Sequence, residues 1–335
     1  MPMCTPCTIL FLFLGDDFMI DLHYDLLSIL YYCYKKNDFS YIETIQKYYQ
    51  NNGVLGVVAN LYFMNEEEMK EELGELYEPI DVVEMFRIAT TLFRKYFPEL
   101  DVVYSIEGCD YIDNLSQLEE LSQLGLRNVL LVWNNKNKYG SGNRSSNGLS
   151  EDGKDFLRKA IELGISIDLS HMNLNTFSDT VSLLKEEKAK GRDVRVVVSH
   201  SNCYDLYSHP RNLTDEQLLS LKELNPVVGL VSYGPFVSSS ENLEELKDSY
   251  VKHILHVKDL LGIDAVGVST DDMKFDLVLF KSDTVLLESG EDIQVFRYAN
   301  VYNEIKELLE KYLSTEEINK VLYENSYNQL FRKEV

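Results

Sequence analysis

Short apolar runs alternate with amphipathic stretches along most of this 335-residue chain. The runs are short and rich in Val, Ile, Leu and Tyr, which is typical of buried β-strands. Eight strands are predicted, at 19–25, 55–62, 101–107, 128–133, 165–171, 194–200, 226–233 and 265–271. The stretches between them have helical periodicity, and helices are predicted at 39–51, 66–97, 115–124, 151–163, 174–190, 214–224 and 241–261.

Two helix starts carry a specific signal. Thr214 and Ser314 are each followed three residues later by Gln217 or Glu317, which is the pattern of a capping box. The eight strand-then-helix units run on without a linker, a low-complexity tract or an internal repeat. Because right-handed crossovers between parallel strands close in this way, one (β/α)8 TIM barrel is predicted over residues 19–335. The polar stretch 136–150 is the predicted active-site loop.

Residues 1–18 do not fit this series. Their apolar run, 8–14, is far shorter than the ~20 residues that span a bilayer. No basic segment precedes it, and Asp16 and Asp17 follow where a signal peptide has small residues. We therefore expect a loose extension or a misassigned start rather than a signal sequence, and a cytoplasmic protein.

Composition narrows the class of protein. With 45% hydrophobic and 26% charged residues, a large core can form and disorder is not expected. The net charge of −23 argues against nucleic acid or an anionic membrane as a partner, although it also simply serves solubility. The cysteines are five in number and mostly isolated, so no disulfide framework is expected, and the pair Cys4 and Cys7 lacks a second pair for zinc.

Scarce metal-competent side chains close several of the predicted strands. His23 and Asp25 end the first strand, Glu107 the third, His171 the fifth and His200 the sixth. At the period of a strand, His23 and Asp25 share one face about 7 Å apart and can converge on one metal. Each residue alone also has a structural explanation: a chance HxD pair, a Glu paired with a loop cation, or a histidine at the barrel rim. The joint pattern is far more specific and predicts a metal centre.

The chemistry of such a centre follows from its ligands. Glu107 could bridge two ions, with His171 and His200 holding the second. Two metals ~3.5–4 Å apart would hold a bridging hydroxide as nucleophile, and zinc is the usual metal for His, Asp and Glu in a hydrolase. Asp271, at the end of the eighth strand, would pass the proton of the water to the leaving amine. His209, His253 and His256 are not expected to bind metal.

The order of these motifs resembles the membrane dipeptidase (renal dipeptidase) family of zinc metallopeptidases. The resemblance rests on HxD at His23, the strand-terminal Glu107-Gly108, DLSH at His171, SH at His200 and a late Asp271. It extends to 125–127, 148–154 and 209–213 and covers roughly residues 19 to 330.

The resemblance implies a (β/α)8 barrel with two zinc ions that hydrolyses dipeptides. It implies that His23 and Asp25 bind one zinc, that His171 and His200 bind the other, and that Glu107 bridges them. Arg211 matches the arginine that holds the carboxylate of the dipeptide, which suits a guanidinium fork; a salt bridge at a helix entry is its alternative. Asp271 matches the proton-transfer residue.

The chain departs from the family at two places. Trp133 and Asn134 stand where the mammalian enzymes have a histidine that polarises the substrate carbonyl. Either could donate to the oxyanion, or Trp133 could only wall the pocket. Asp271-Asp272-Met273 stands where the family often has Asp-Phe-Asp-Gly.

The sequence thus predicts a zinc dipeptidase with a dipeptide substrate and a possible homodimer. Two alternatives are open: another two-metal barrel hydrolase, such as an amidohydrolase or nuclease, and a metal-binding paralogue without catalysis. The first usually opens with HxH, whereas residues 23–25 give HxD. The second is suggested by Trp133.

Overall fold

Eight parallel strands form a single sheet in the computed structural model, which describes residues 18–63, 66–240, 242–271 and 301–331. Each strand pairs with its neighbours in sequence. The strands are β1 Met19–Tyr24, β2 Val54–Tyr62, β3 Asp101–Glu107, β4 Leu126–Leu130, β5 Ser166–Asp168, β6 Val196–Ser201, β7 Val227–Val231 and β8 Val266–Ser269. This sheet confirms the predicted (β/α)8 barrel.

Helices lie between successive strands and around the barrel. They are α1 Leu26–Lys36, α2 Ile42–Asn51, α3 Glu66–Leu73, α4 Val82–Tyr96, α5 Leu115–Leu124, α6 Glu151–Glu162, α7 Leu174–Ala189, α8 Asp215–Ser220, α9 Gly234–Val237, α10 Leu243–Leu261, α11 Val301–Leu309 and α12 Thr315–Asn319. Shorter 3₁₀ turns are Gly74–Leu76, Lys222–Leu224 and Ile263–Ala265, and π-helical turns are Lys320–Glu324 and Tyr327–Phe331. Both predicted capping boxes are present, at Thr214 and Ser314.

The first and last strands meet through side-chain and loop contacts. The Asp21 carboxylate on β1 accepts from the Thr270 backbone N–H over 2.9 Å. One residue further on, the Asp271 N–H donates to the His23 carbonyl over 3.2 Å. These bonds hold the carboxyl ends of β1 and β8 together, where His23 and Asp271 lie.

The amino-terminal end of the barrel is filled by side chains. An interior cluster is formed by Leu22, Val58, Val103, Val197 and Val227. Leu330 and Phe331, on the last π-helical turn, pack against this cluster. The interior is therefore closed on that side, and a reactive site has room only at the carboxyl ends of the strands.

The helices differ from the predicted pattern at two places. Helix α1 was not predicted because its residues 26–33 are all buried, so no polar face shows the helical period. The single helix predicted at 66–97 is α3, a 3₁₀ turn and α4. The break contains Gly74 at φ 53° and Pro79, and Asp81 caps α4 by accepting from two backbone N–H groups.

Some predictions lie outside the described residues. They are the extension at 1–18, of which only residue 18 is described, the pair Cys4 and Cys7, and the departure at Asp272 and Met273. The three described cysteines are buried and free. Among the described helices, none combines the length and apolar character needed to cross a membrane.

Candidate metal centre

Glu107 lies at the middle of a group of histidines. It is the last residue of β3 and is 3% exposed. Its Oε2 lies 3.2 Å from His23 Nε2, and its Oε1 lies 2.8 Å from His171 Nε2 and 3.7 Å from His200 Nε2. The two oxygens of one carboxylate thus face different histidines. Gly108 follows at φ 80°, a left-handed conformation that accounts for glycine here.

The His23 side of this group contains two further carboxylates. His23 Nε2 lies 3.8 Å from Asp25 Oδ1 and 3.7 Å from Asp271 Oδ1. The predicted placement of Asp25 on the first strand was wrong, because β1 ends at Tyr24 and Asp25 occupies the N-cap position of α1. The two side chains converge nevertheless, as the 3.8 Å between His23 Nε2 and Asp25 Oδ1 shows.

The other side contains His171 and His200. Their Nε2 atoms lie 2.8 Å apart. His171 does not belong to β5, which ends at Asp168, and its backbone has φ 69°. Asp271 also has positive φ, 45°, just beyond β8. For non-glycine residues this conformation costs free energy, and it often occurs at functional sites.

The donor set fits metal ions. Two ligand atoms on one tetrahedral zinc are about 3.3 Å apart, given Zn–N and Zn–O bonds near 2.0–2.1 Å. The Nε2 of His23 meets that separation with Glu107 and approaches it with Asp25. Three buried ligands, His23, Glu107 and His200, have their donor atoms within 4.8 Å of one another. All these donors are types that zinc accepts.

The rings are oriented by hydrogen bonds to their outer nitrogens. His171 Nδ1 lies 3.0 Å from Asn134 Oδ1, and His200 Nδ1 lies 2.8 Å from Ser199 Oγ. Because an amide oxygen can only accept, Asn134 fixes the proton of His171 on Nδ1 and leaves Nε2 with a lone pair. This is the arrangement that metal-binding histidines require.

His23 has a related partner in Asn60. The Asn60 Nδ2 lies 2.9 Å from His23 Nδ1, while its Oδ1 is buried without a partner among the described residues. Half a turn of that amide would present Oδ1 to an Nδ1 proton and free His23 Nε2 for a metal. That orientation suits a metal-bound His23 and equally the protonated His23 of the metal-free site.

A buried carboxylate supports the loops of His171 and His200. Asp168 is fully buried, and its Oδ1 accepts from the backbone N–H groups of Ser170 and Ser199 at 3.0 and 3.1 Å. One carboxylate thus holds the two residues that directly precede the histidines. This shared acceptor holds the backbone before His171 close to the backbone before His200.

The charges of the site favour the protonated form of His23 and the ionised form of Glu107. Burial opposes the charged form of His23, but Glu107, Asp271 and Asp25 raise its pKa to about 10. Burial also opposes ionised Glu107, yet His23 and His171 hold its pKa well below its usual range. Burial, helped by Arg211, lowers the pKa of His171 to about 4. Ionised Glu107 and neutral His171 are the states that bind a cation.

Asp271 and Arg211 lie at the edge of the group. Burial raises the pKa of the Asp271 carboxyl, which suits a residue that accepts a proton near neutral pH. Arg211 is 8% exposed, and its Nη2 donates to the His200 carbonyl over 3.3 Å. No described carboxylate forms an ion pair with Arg211, so the predicted alternative of a helix-entry salt bridge finds no support among the described residues.

Trp133 and Asn134 both lie beside His171. The Trp133 ring centroid is 6.1 Å from that of His171 and 5.1 Å from that of Tyr62, so the indole packs beside both rings. The Asn134 side chain is engaged with His171, as described above. An additional role for either residue at the substrate carbonyl stays a prediction.

The remaining histidines lie elsewhere. His253 accepts from the Cys203 N–H and also contacts the Val237 carbonyl. His256 pairs with Asp215 at 2.7 Å, and the Arg211 N–H donates to His209. That none of the three binds metal stays a prediction.

Sequence reasoning missed Asn60, Ser199 and Asp168. Ser and Asn are common, and nothing in their spacing marks them as partners of His23 and His200. Only Asp168 carried a signal, because a carboxylate inside an apolar strand needs buried donors.

Comparison with known proteins gives a consistent result. The family described as membrane dipeptidase (peptidase family M19) matches residues 18–332. Dipeptidase tcpJ of Claviceps purpurea (strain 20.1) is 26% identical over 261 residues, which cover 76% of this chain and 56% of that protein. Dipeptidase verJ of Clonostachys rogersoniana is 28% identical over 212 residues, 61% of this chain and 49% of that protein. The chain thus spans about half the length of the curated relatives it matches.

A solved structure shares the fold. The metallo peptidase from Rhodobacter sphaeroides, liganded with a phosphinate mimic of the dipeptide L-Ala-D-Ala, has a TM-score of 0.69 to this chain. It is 20% identical and the match covers 94% of this chain and 98% of that one.

Proposed function

This chain belongs to the membrane dipeptidase family, and on that premise we propose that it is a zinc-dependent dipeptidase with two zinc ions per chain. Its substrate is a dipeptide, and residues 19–335 act as one catalytic domain. His23 and Asp25 would hold one ion, His171 and His200 would hold the other, and Glu107 would be a ligand of both.

The observation that carries this proposal is the division of the Glu107 carboxylate. Its Oε2 faces His23, and its Oε1 faces His171 and His200. A buried carboxylate whose two oxygens face two sets of imidazoles could be a ligand of two metals at once, which supports the proposal of two ions.

Zinc at this position would polarise the scissile carbonyl and lower the pKa of the attacking water. Asp271 would take the proton of that water; its Oδ1 lies 3.7 Å from His23 Nε2, beside the proposed ligands, which supports this role. The proton then passes to the nitrogen of the leaving amine, which departs neutral. Asn134 holds His171 in the tautomer with Nε2 free.

Arg211 binds the carboxylate of the substrate. A buried guanidinium is costly without an anion, and the described residues supply none within ion-pair distance. A free C-terminal carboxylate would satisfy two of its N–H groups at once. This requirement would favour dipeptides over longer chains, because it would fix the free carboxylate one residue from the scissile bond.

The test is hydrolysis of L,L- and L,D-dipeptides by zinc-reconstituted protein, with a chelator-treated sample as control. Chelator-sensitive cleavage together with two zinc ions per chain is expected. Two bound zinc ions without cleavage of any dipeptide would instead favour the metal-binding paralogue. A homodimer and a cytoplasmic location stay predictions.

A further inference from the structure

A cavity of about 150 Å³ lies beside the metal centre. His171 and Arg211 line it and also belong to the centre. A cavity of about this volume can hold a six-membered ring, so it is large enough for an amino-acid side chain. Leu174 and Tyr204, both exposed, also line it.

The wall of the cavity is unusual for this protein. Aspartate and glutamate supply 55 of the 335 residues, and the net charge is −23. Yet none of the described residues that line the cavity is acidic, whereas Arg211 is a cation. The cavity is therefore suited to an electron-rich group, in contrast to the rest of the surface.

Two side-chain amides that line the cavity, those of Gln217 and Asn143, have N–H donors without a partner among the described residues. Gln217 is 9% exposed, and its Oε1 accepts from the Thr214 N–H over 3.0 Å in the capping box of α8. Because Oε1 accepts that bond, the amide is oriented with Nε2 pointing away from the Thr214 N–H. Among the described residues Nε2 has no partner. Asn143 Nδ2 is also buried and unpartnered within the described part of the chain.

We propose that this cavity binds the side chain of the substrate residue that carries the free carboxylate. We further propose that Gln217, with Asn143, selects short side chains that end in an oxygen acceptor, namely aspartate and asparagine. This inference rests on the proposed function.

The geometry of a dipeptide gives the reason. In the proposed function its carboxylate would lie at Arg211 and its scissile carbonyl beside His171. The C-terminal residue has a single Cα between its carboxylate and the scissile bond. A side chain on that Cα therefore starts between Arg211 and His171, the two residues that the cavity shares with the centre.

The test uses three dipeptides with side chains of similar shape: Ala-Asp, Ala-Asn and Ala-Leu, each with both configurations of the C-terminal residue. For the wild type, kcat/KM for Ala-Asp and Ala-Asn is expected to exceed that for Ala-Leu about tenfold, as one hydrogen bond allows. Equal values for all three would overturn the inference, whatever the behaviour of any variant.

The variant Gln217→Glu isolates the donor. Glutamate serves a capping box as well as glutamine, so the start of α8 is preserved. The Nε2 donor is replaced by a carboxylate oxygen, and the Asp-to-Leu ratio of kcat/KM is expected to fall at least about tenfold. The Asn-to-Leu ratio should fall less, because the substrate amide can turn its NH₂ to the new carboxylate.

The matched control is Glu317→Gln, the reverse exchange in the capping box of α12. It should leave both ratios as in the wild type. An Asp-to-Leu ratio that Gln217→Glu leaves unchanged would refute the role of Gln217.

Calorimetry of free aspartate and leucine separates this inference from the proposed function. Hydrolysis of no dipeptide would refute the dipeptidase. Tighter binding of aspartate than leucine would then still support the cavity, and equal binding would refute it.

Discussion

Replacing Glu107 by glutamine tests the two-metal centre most directly. The substitution keeps the shape of the side chain but removes its charge and converts one carboxylate oxygen into an NH₂ group, which cannot bind a metal. In the structure the two oxygens face His23 on one side and His171 on the other, at 3.2 and 2.8 Å. Whichever oxygen is replaced, one ion would lose Glu107 as a ligand. The other ion would keep only a neutral amide oxygen in its place.

The size of the effect follows from these contacts. Loss of a residue that merely orients a metal ligand typically costs 10–100-fold in metal affinity or activity. Glu107 would be a ligand of both ions, so we expect turnover of dipeptides to fall at least about 10³-fold. Zinc content should fall below two ions per chain at zinc concentrations that saturate the wild type.

The assay is dipeptide hydrolysis together with metal analysis of the same sample. The matched control is Glu187→Gln, which removes another buried carboxylate, on α7, where it pairs with Lys190 at 2.9 Å. That variant should keep its zinc and its turnover. Near-normal activity of Glu107→Gln with two zinc ions bound would refute the proposal that Glu107 is a ligand of both ions.

Three further predictions concern the same centre. Arg211→Ala should raise KM for free dipeptides far more than for C-terminally amidated ones. An equal rise in KM for both kinds of substrate would contradict the proposed binding of the substrate carboxylate by Arg211. Asn134→Leu should weaken zinc binding about 10–100-fold by freeing the His171 ring, and Asn134→Asp, which keeps an acceptor, should restore much of it; titration with a zinc indicator measures both. Despite burial, Glu107 raises the pKa of His23 to about 10, so His23 is protonated at pH 7 without metal. Zinc binding should therefore release about one proton from it and tighten as pH rises toward 10; calorimetry in two buffers that shows no proton release would contradict this.

That these side chains meet could be predicted because the candidate ligands are scarce. Six histidines serve 335 residues, and His23 and His200 each lie at or next to the end of a buried apolar run. In a parallel barrel, strand ends meet at one rim, so the order of the motifs was enough to predict that they converge. The detail at those ends was not predictable: β5 stops at Asp168, and His171 reaches the group through a left-handed turn.

The supporting contacts could not be predicted from local pattern. Ser199 Oγ lies 3.3 Å from His23 Nδ1 across 176 residues of sequence. Asp21 bonds Thr270 across 249 residues, and that bond holds the first strand against the last. Neither pair leaves a trace in composition or periodicity.

The sequence by itself determined the alternation of strands and helices, the eight-stranded barrel and the histidines and carboxylates that end its strands. The periodicity of hydrophobic residues and the capping residues act over a few neighbouring positions, so they can be recognised in a short stretch of sequence. Only the tertiary structure decided which Glu107 oxygen faces which histidine, that Arg211 is buried without an ion-pair partner among the described residues, and that an acid-free cavity lies beside it. Those features arise when the barrel closes, because closure alone brings side chains from distant strands within bonding distance.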